Sequence, residues 1–343
     1  MLSGFLGSGK TTLLRRYLAA ADPAARIAVV INEFGETSID HRLVRSSGDA
    51  PRVLASGCAC CTVADQLRET LLELLREDAR EGSQPIERIV LETSGLADPA
   101  TILNTLRSDL VLAEYLEVGR CVVAFDALDG TPCAGRYAEV RHQLAAADTI
   151  VVTKADIADA SSVASAIAHA RSVNALAHFV TAASADFAIG SLFDKAGATR
   201  DLSPSLPFHA GSIKSFCLSL HGTVDWASFS VWLTCLLHRH GSRILRFKAV
   251  LDVASTQGPL VVHGVRHLVY PPQHLMDATA VRGQSDLVFI LDGIDARQIE
   301  ASLQAFLAFA LHQSQAAGDA RTRSRADSMK VASTRLDSPS MTG

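Results

Sequence analysis

The chain has 343 residues, 48% of them hydrophobic and 20% charged. That length suggests two domains and suffices for a large buried core. The balance excludes a disordered or fibrous protein, and the longest apolar stretches fall short of the eighteen or so residues of a membrane span. A formal net charge of −4 gives no electrostatic footprint for nucleic acid or an anionic membrane. Seven cysteines, an odd count with three of them in Cys58-Ala59-Cys60-Cys61, point to reduced thiols in the cytoplasm rather than a secreted disulfide framework.

The first feature met along the chain is Gly4-Phe5-Leu6-Gly7-Ser8-Gly9-Lys10-Thr11, which satisfies the phosphate-loop template G-x-x-x-x-G-K-S/T without a mismatch. The glycines let successive backbone N–H groups converge on one phosphate cluster. Lys10 adds a point charge for the outer phosphates, and the Thr11 hydroxyl is a Mg²⁺ ligand. From Thr12 onward the sequence reads as a helix whose positive dipole end faces the anion. Such a loop ordinarily follows a strand of about five residues, whereas three residues precede Gly4. The expectation is that the true start lies further upstream.

Residues 26–31 form an apolar run suited to a buried parallel strand, and 52–54 another short strand. Between them Asn32-Glu33-Phe34-Gly35-Glu36-Thr37-Ser38-Ile39-Asp40 packs three acids into eight residues, where a first switch segment would lie. Those acids suit metal ligation or water positioning, or equally a solvated acidic loop. The triplet Cys58, Cys60 and Cys61 offers soft ligands to a d-block ion such as Zn²⁺. No second C-x₂-C pair completes a structural zinc site, which favours an exchangeable one. Buried structural thiols and a redox pair are the alternatives.

Thr62 is placed to cap a helix running to about Arg80, with Val63, Leu67, Leu71, Leu74 and Leu75 on one face. A strand over 89–91 ends in Glu92-Thr93-Ser94-Gly95. There, phosphate-loop proteins keep an acid for Mg²⁺ and a glycine whose N–H faces the γ-phosphate. Asp98-Pro99 starts a helix. Strands at 120–125, 149–153 and 178–181 follow, with helices between them. The third motif, Thr153-Lys154-Ala155-Asp156, fits N/T-K-x-D. Asp156 would accept from the guanine N1–H and amino group, which adenine does not offer. Lys154 is expected to lie along the base plane and brace the phosphate loop. The alternation predicts an α/β fold: a mostly parallel sheet flanked by helices, with ligands at the strands' carboxyl ends.

Composition changes at Ser203-Pro204-Ser205-Leu206-Pro207, read as a linker. Beyond it come strands at 214–220, 245–251, 260–270 and 287–291, with helices over 226–240 and 295–311, which makes a smaller α+β domain. The predicted boundaries are 1–203, 208–313 and a disordered tail over 314–343. Cys121, Cys133, Cys217 and Cys235 are isolated and read as fillers. His238, His240, His263 and His267 read as coverings of a helix end or a strand face.

The phosphate loop, N-E-F-G-E, G-C-x-C-C, E-T-S-G and T-K-x-D, in this order and spacing, resemble the CobW family of P-loop GTPase metallochaperones. The likeness extends over about residues 1–313 and includes Ile244-Leu245-Arg246-Phe247-Lys248 and His263-Gly264-Val265. The His-rich run of many members is missing. The resemblance implies GTP hydrolysis with Mg²⁺, coupled to handling Zn²⁺ or Co²⁺ for a client metalloprotein. By position it assigns the nucleotide to Gly4, Gly7, Ser8, Gly9, Lys10, Thr11 and Thr12 and to Thr153, Lys154 and Asp156. Catalysis falls to Lys10, Glu36, Glu92 and Gly95, Mg²⁺ to Thr11, Glu36 and Glu92, and the transition metal to Cys58, Cys60 and Cys61. The rival readings are a small-molecule kinase, which would prefer ATP, a GTP-dependent thiol redox sensor, and a scaffold without turnover.

Overall fold

The computed structural model describes residues 1–32, 42–45, 52–54, 63–79, 85–184, 187–194, 209–210, 213–253, 256, 258–275 and 283–309. Glu36, Cys58, Cys60, Cys61, the capping Thr62, the 203–207 linker and the tail from 314 lie outside them.

The first layer runs β1 (Leu2–Gly4), α1 (Lys10–Ala20), β2 (Ile27–Asn32), β3 (Arg42–Arg45), β4 (Arg52–Leu54), α2 (Val63–Asp78) and β5 (Arg88–Thr93). It continues through α3 (Pro99–Ser108), α4 (Leu110–Tyr115), β6 (Val122–Asp126), α5 (Gly130–Arg136), α6 (Ala138–Ala146), β7 (Thr149–Thr153), α7 (Ala160–Val173) and β8 (His178–Thr181). These strands make one sheet in the order β4-β3-β2-β5-β1-β6-β7-β8. From β2 to β8 every pairing is parallel, while β3 and β4 add an antiparallel edge. The expected mostly parallel sheet is therefore present, and β3 is a strand the sequence did not announce. Leu43 and Val44 are its only apolar residues, too few to show a period.

β1 sits in the middle of the sheet. Leu2 pairs with both Glu92 and Val122, and Gly4 with Ala124. Tyr17, Leu13 and Leu14 of α1 pack on one face with Leu2, Val29 and Val151. The other face carries α2 to α7. Leu67, Leu71 and Leu74 cover Ala28, Val30 and Leu91, and Leu103, Val140 and Leu144 cover Val123, Phe125 and Ile150. Each fully buried aliphatic side chain here contributes about 1.5–3 kcal/mol. Helix starts are set locally: Asp98 accepts from Ala100 N at 3.0 Å with Pro99 next to it, and Asp159 accepts from Ser162 N at 2.7 Å.

The second layer contains β9 (His209–Ala210), β10 (Ile213–His221), α8 (Trp226–His240), β11 (Ile244–Leu251), β12 (Leu260–Val265), β13 (Leu268–Val269), β14 (Gln273–His274), β15 (Gln284–Asp292) and α9, over 296–309. All pairings within its sheet are antiparallel, ordered β13-β12-β11-β15-β10-β9, with β14 beside β12. The single strand expected over 260–270 is instead two strands joined by a tight turn at Arg266 and His267. Arg266 takes φ 53, a left-handed conformation that no glycine or proline signals in advance. Phe229, Trp232 and Leu233 of α8, with Ile299 and Leu303 of α9, bury one face of this sheet. The opposite face lies on the first layer, where Ile213, Leu245 and Ile290 join the cluster of Leu144, Ala170 and Val173.

Candidate functional site

The carboxyl ends of β5, β1, β6 and β7 meet at the point where strand order reverses, the position at which open α/β sheets bind ligands. Those of the predicted nucleotide-loop and strand-end residues that are described converge there. Gly9 caps α1 at φ 88, and a side chain would strain that turn just where backbone must approach an anion. Gly4, Gly7 and Ser8 complete the loop, with Ser8 buried, and Thr12 lies exposed in the first turn of α1. Lys10 Nζ donates to the carbonyls of Gly4 at 2.9 Å and Phe5 at 3.1 Å, so its charge is folded over the loop. Thr11 Oγ1 donates to Glu92 Oε1 at 2.8 Å, joining the phosphate loop to the end of β5 across 81 residues of chain.

Glu92 is 3% exposed. A buried carboxylate oxygen in contact with a threonine hydroxyl at a helix N-terminus is an all-oxygen donor set, which suits a hard cation such as Mg²⁺. These two residues fit the ion. Glu36, assigned to the same ion, lies outside the described residues. Next to Glu92, Thr93 Oγ1 donates to Ser3 Oγ at 2.8 Å, fastening β5 to β1 where the site begins. Gly95 then passes hard against the loop. A Cβ on it would stand 2.7 Å from Leu6 N, so a residue with any side chain would push the two segments apart.

The Thr153-Lys154-Ala155-Asp156 segment differs in one respect from expectation. The brace on the phosphate loop comes from Thr153, whose Oγ1 donates to Ser8 O at 2.7 Å. Lys154, with φ 57, turns instead to Asp126, its Nζ 2.5 Å from Oδ2. The reason is the topology: Asp126 and Thr153 are paired residues at the ends of β6 and β7, so an acid stands beside the lysine. Asp126 is buried, and its second oxygen accepts from Leu128 N at 2.8 Å. Asp156 is exposed at the rim, open to a base.

Sequence reasoning missed two residues of this region, Asp126 and Gln143. Gln143, on α6, is 1% exposed and donates to Gly95 O at 3.0 Å and Ala97 O at 3.1 Å. Neither belongs to a spaced motif. An acid at the end of the apolar run 121–125 and a polar residue inside the apolar face of α6 were the only signals.

Farther from the cleft, Asp148 accepts from Cys121 N at 2.7 Å and pairs with Arg246 of β11, which also donates to Ala146 O at 2.8 Å. Burial pushes the Asp148 carboxyl up, but the Arg246 charge and the Cys121 N–H outweigh it and hold the group below the usual range. Burial also pushes the Cys121 thiol up to about 12, which keeps it neutral and unfit as a metal ligand. His263 is lowered to about 4 by burial and then by the Arg246 charge, so it is a neutral ring packed edge-on to Tyr270. Its place is at the contact between the layers. Among the described residues no group of three His, Cys, Asp or Glu side chains forms a metal site, and no helix is long and apolar enough to cross a membrane.

Comparison with known proteins agrees with this geometry. The family described as CobW/HypB/UreG, nucleotide-binding domain, matches residues 1–181, and the cobalamin synthesis protein cobW C-terminal domain matches residues 213–307. The zinc chaperone YjiA of Escherichia coli is 31% identical over 277 residues, covering 78% of this chain and 86% of that protein. The zinc chaperone CobW of a Sinorhizobium species is 27% identical over 351 residues, covering 90% and 96%. The crystal structure of Zn(II)-bound YjiA GTPase from E. coli superposes with a TM-score of 0.69 at 26% identity, over 89% of this chain and 97% of that one.

Proposed function

The chain belongs to the CobW/HypB/UreG family and is a GTPase of that family, and from this premise we propose that it is a metallochaperone. In this reading it binds Zn²⁺, or Co²⁺, through Cys58, Cys60 and Cys61 and releases the ion to a client metalloprotein as GTP is hydrolysed. Relatives named zinc chaperones support zinc as the cargo. The two family matches also support a division into a GTPase domain over 1–203 and a C-terminal domain over 208–313.

The observation that carries the nucleotide half is the Thr11–Glu92 contact beneath Lys10. A triphosphate entering the loop offers Lys10 anionic oxygens, a stronger class of hydrogen-bond acceptor than a neutral carbonyl. Gly7 and Gly9 carry no side chain to crowd the loop, and the Gly95 N–H, on a segment packed against Leu6, would serve the terminal phosphate. Thr11 and Glu92, with Glu36, would hold Mg²⁺. When bound, that ion supplies charge neutralisation between the outer phosphates. Asp156 reads the guanine edge while the Lys154–Asp126 pair fixes the turn beneath the base.

The cargo half rests on the sequence order: the cysteines fall between β4 and α2, two elements of the layer that carries the nucleotide loop. GTP would order the thiols and hydrolysis would loosen them. Linkage then requires that if GTP tightens the metal, the metal tightens GTP by the same factor. The decisive experiment titrates Zn²⁺ and Co²⁺, in competition with a chelating indicator, into protein held with GDP or with a non-hydrolysable GTP analogue. A tighter metal affinity with the analogue, lost in the Cys58→Ala/Cys60→Ala variant, is expected. Equal affinities in the two states would rule the coupling out.

A further inference from the structure

The segment 94–98 touches the phosphate loop at Leu6, but its conformation is fixed from elsewhere. Gly95 has no side chain to anchor it, so it is the natural pivot of this segment. Two clamps remove that freedom. Gln143 of α6 spends both N–H groups of its amide on the carbonyls of Gly95 and Ala97, from a position shut off from water. Arg266, in the turn between β12 and β13, reaches across the layers and pairs with Asp98 Oδ2 at 2.5 Å.

Neither clamp is loose. Asp98 also caps α3, and α6 is itself held at Ala146 by Arg246. Ala100, Ala146 and Val265 close the apolar contact between those two attachment points. Arg266 holds a left-handed φ of 53 that opposes its Cβ, a strain the surrounding contacts must sustain. Within the segment, Ala97 N donates to Ser94 O at 3.2 Å, which closes 94–97 into a single turn that contains Gly95.

We infer that Gln143 and Arg266 are positioning residues for the nucleotide reaction. By clamping the Gly95 turn from behind they place its N–H at the terminal phosphate, and so set the preference for GTP over GDP. Through Arg266 the second layer takes part in that preference. This deepens the GTPase reading and rests on it.

Gln143→Met keeps length and apolar bulk but has no donor. Arg266→Asn removes the cross-layer charge and accepts a left-handed φ, so it preserves the turn. Both are made in the full chain, and affinities for GDP and a non-hydrolysable GTP analogue are measured beside turnover. Gln143→Met is expected to bind GDP within about twofold of wild type and the analogue roughly tenfold more weakly, with turnover reduced in step. Arg266→Asn should shift the same ratio by roughly threefold. An unchanged analogue-to-GDP ratio in Arg266→Asn, or an equal loss for both nucleotides in Gln143→Met, overturns the inference and leaves a structural role only. If Gln143→Met does not fold, the ratio in Arg266→Asn decides alone. A wild-type chain that neither binds nor hydrolyses GTP instead overturns the functional reading, and this inference with it.

Discussion

The two sheets treat polar groups differently. In the first, Ser3, Ser8, Glu92, Thr93, Ser94, Asp126 and Thr153 are buried at or just beyond the carboxyl ends of adjacent parallel strands, against one, Thr149, at an amino end. In the second, the buried polar side chains among the described residues are Arg246 and Ser285. Burying such groups costs free energy unless each is partnered, so a concentration of them marks where the fold serves a ligand rather than itself. The parallel sheet concentrates them because all its strands release their loops on one side. The antiparallel sheet scatters its turns over both ends, packs one face with Phe229, Trp232, Phe247 and Phe289, and uses its buried charge as an attachment to the first layer. Chemistry sits on one sheet, and the other braces it.

Breaking that attachment should have the largest effect. Arg246→Ala leaves the partly buried Asp148 without its guanidinium partner, a loss of about 3 kcal/mol. Chemical denaturation should show it, and pairing the change with Asp148→Leu should recover a large part. A loss of under 1 kcal/mol would mean the contact between layers carries no weight. Lys10→Ala should do the reverse. It should lower the unfolding free energy by no more than about 1–2 kcal/mol while guanine-nucleotide binding weakens roughly a hundredfold, since a charge-assisted contact to the phosphates is lost. Titration with a fluorescent GDP measures the second quantity. If it is unchanged, the loop is not the binding site.

How legible these roles were in the sequence follows the same division. The phosphate loop, E-T-S-G and T-K-x-D are spaced motifs, so the segments that meet at the strands' carboxyl ends could be picked out before any fold was known. Parallel strands such as Thr149–Thr153, and α8 over Trp226–His240, announced themselves through apolar runs and a helical period. Asp126 and Gln143 were invisible for the opposite reason. Their partners, Lys154 and the carbonyls of Gly95 and Ala97, lie 28 to 48 residues away in the chain and meet them only through the sheet order. Arg266 was hidden inside what read as one long strand, because a left-handed arginine leaves no compositional mark. The same holds for the brace: Thr153 and Lys154 are neighbours in sequence, and only the register of β6 against β7 decides which of them reaches the loop.

The contact between layers should also respond to acid. His263 lies among Arg246, Asp148, Lys248 and Arg107, and its folded value of about 4 is below the ordinary 6.5. A lowered value means the unfolded chain takes up the proton first. The neutral ring's contribution is therefore full above about pH 6.5 and is lost as pH falls toward 4. By pH 5 the loss amounts to about 2 kcal/mol. Asp148, also held low, adds to it in the same direction at still lower pH. Thermal unfolding at pH 7.5 and pH 5.0 should show a steeper fall for wild type than for His263→Gln. Parallel slopes would assign the acid sensitivity to other groups.

The smallest effect expected is the one that tests whether the bracing idea extends into the cleft. Asp126 has no place in the recognised motifs, yet its carboxylate holds Lys154 and accepts from Leu128 N. Asp126→Asn keeps the shape and the acceptor for Leu128 while removing the charge that orients the lysine. A partly exposed pair of this kind is worth about 1 kcal/mol, hence roughly a fivefold weaker affinity for GDP. The change belongs to the base rather than the phosphates, so the GTP-to-GDP ratio should stay at its wild-type value. Discrimination against inosine and adenine nucleotides should decline, because a wandering Lys154 no longer fixes the turn that carries Asp156. Competition of GDP, IDP and ADP against a fluorescent guanine nucleotide separates these outcomes. If Asp126→Asn instead shifts the GTP-to-GDP ratio and leaves base discrimination intact, Asp126 acts on the phosphate side. The buried polar groups of the first sheet would then form one connected unit rather than a base-reading part and a phosphate-reading part.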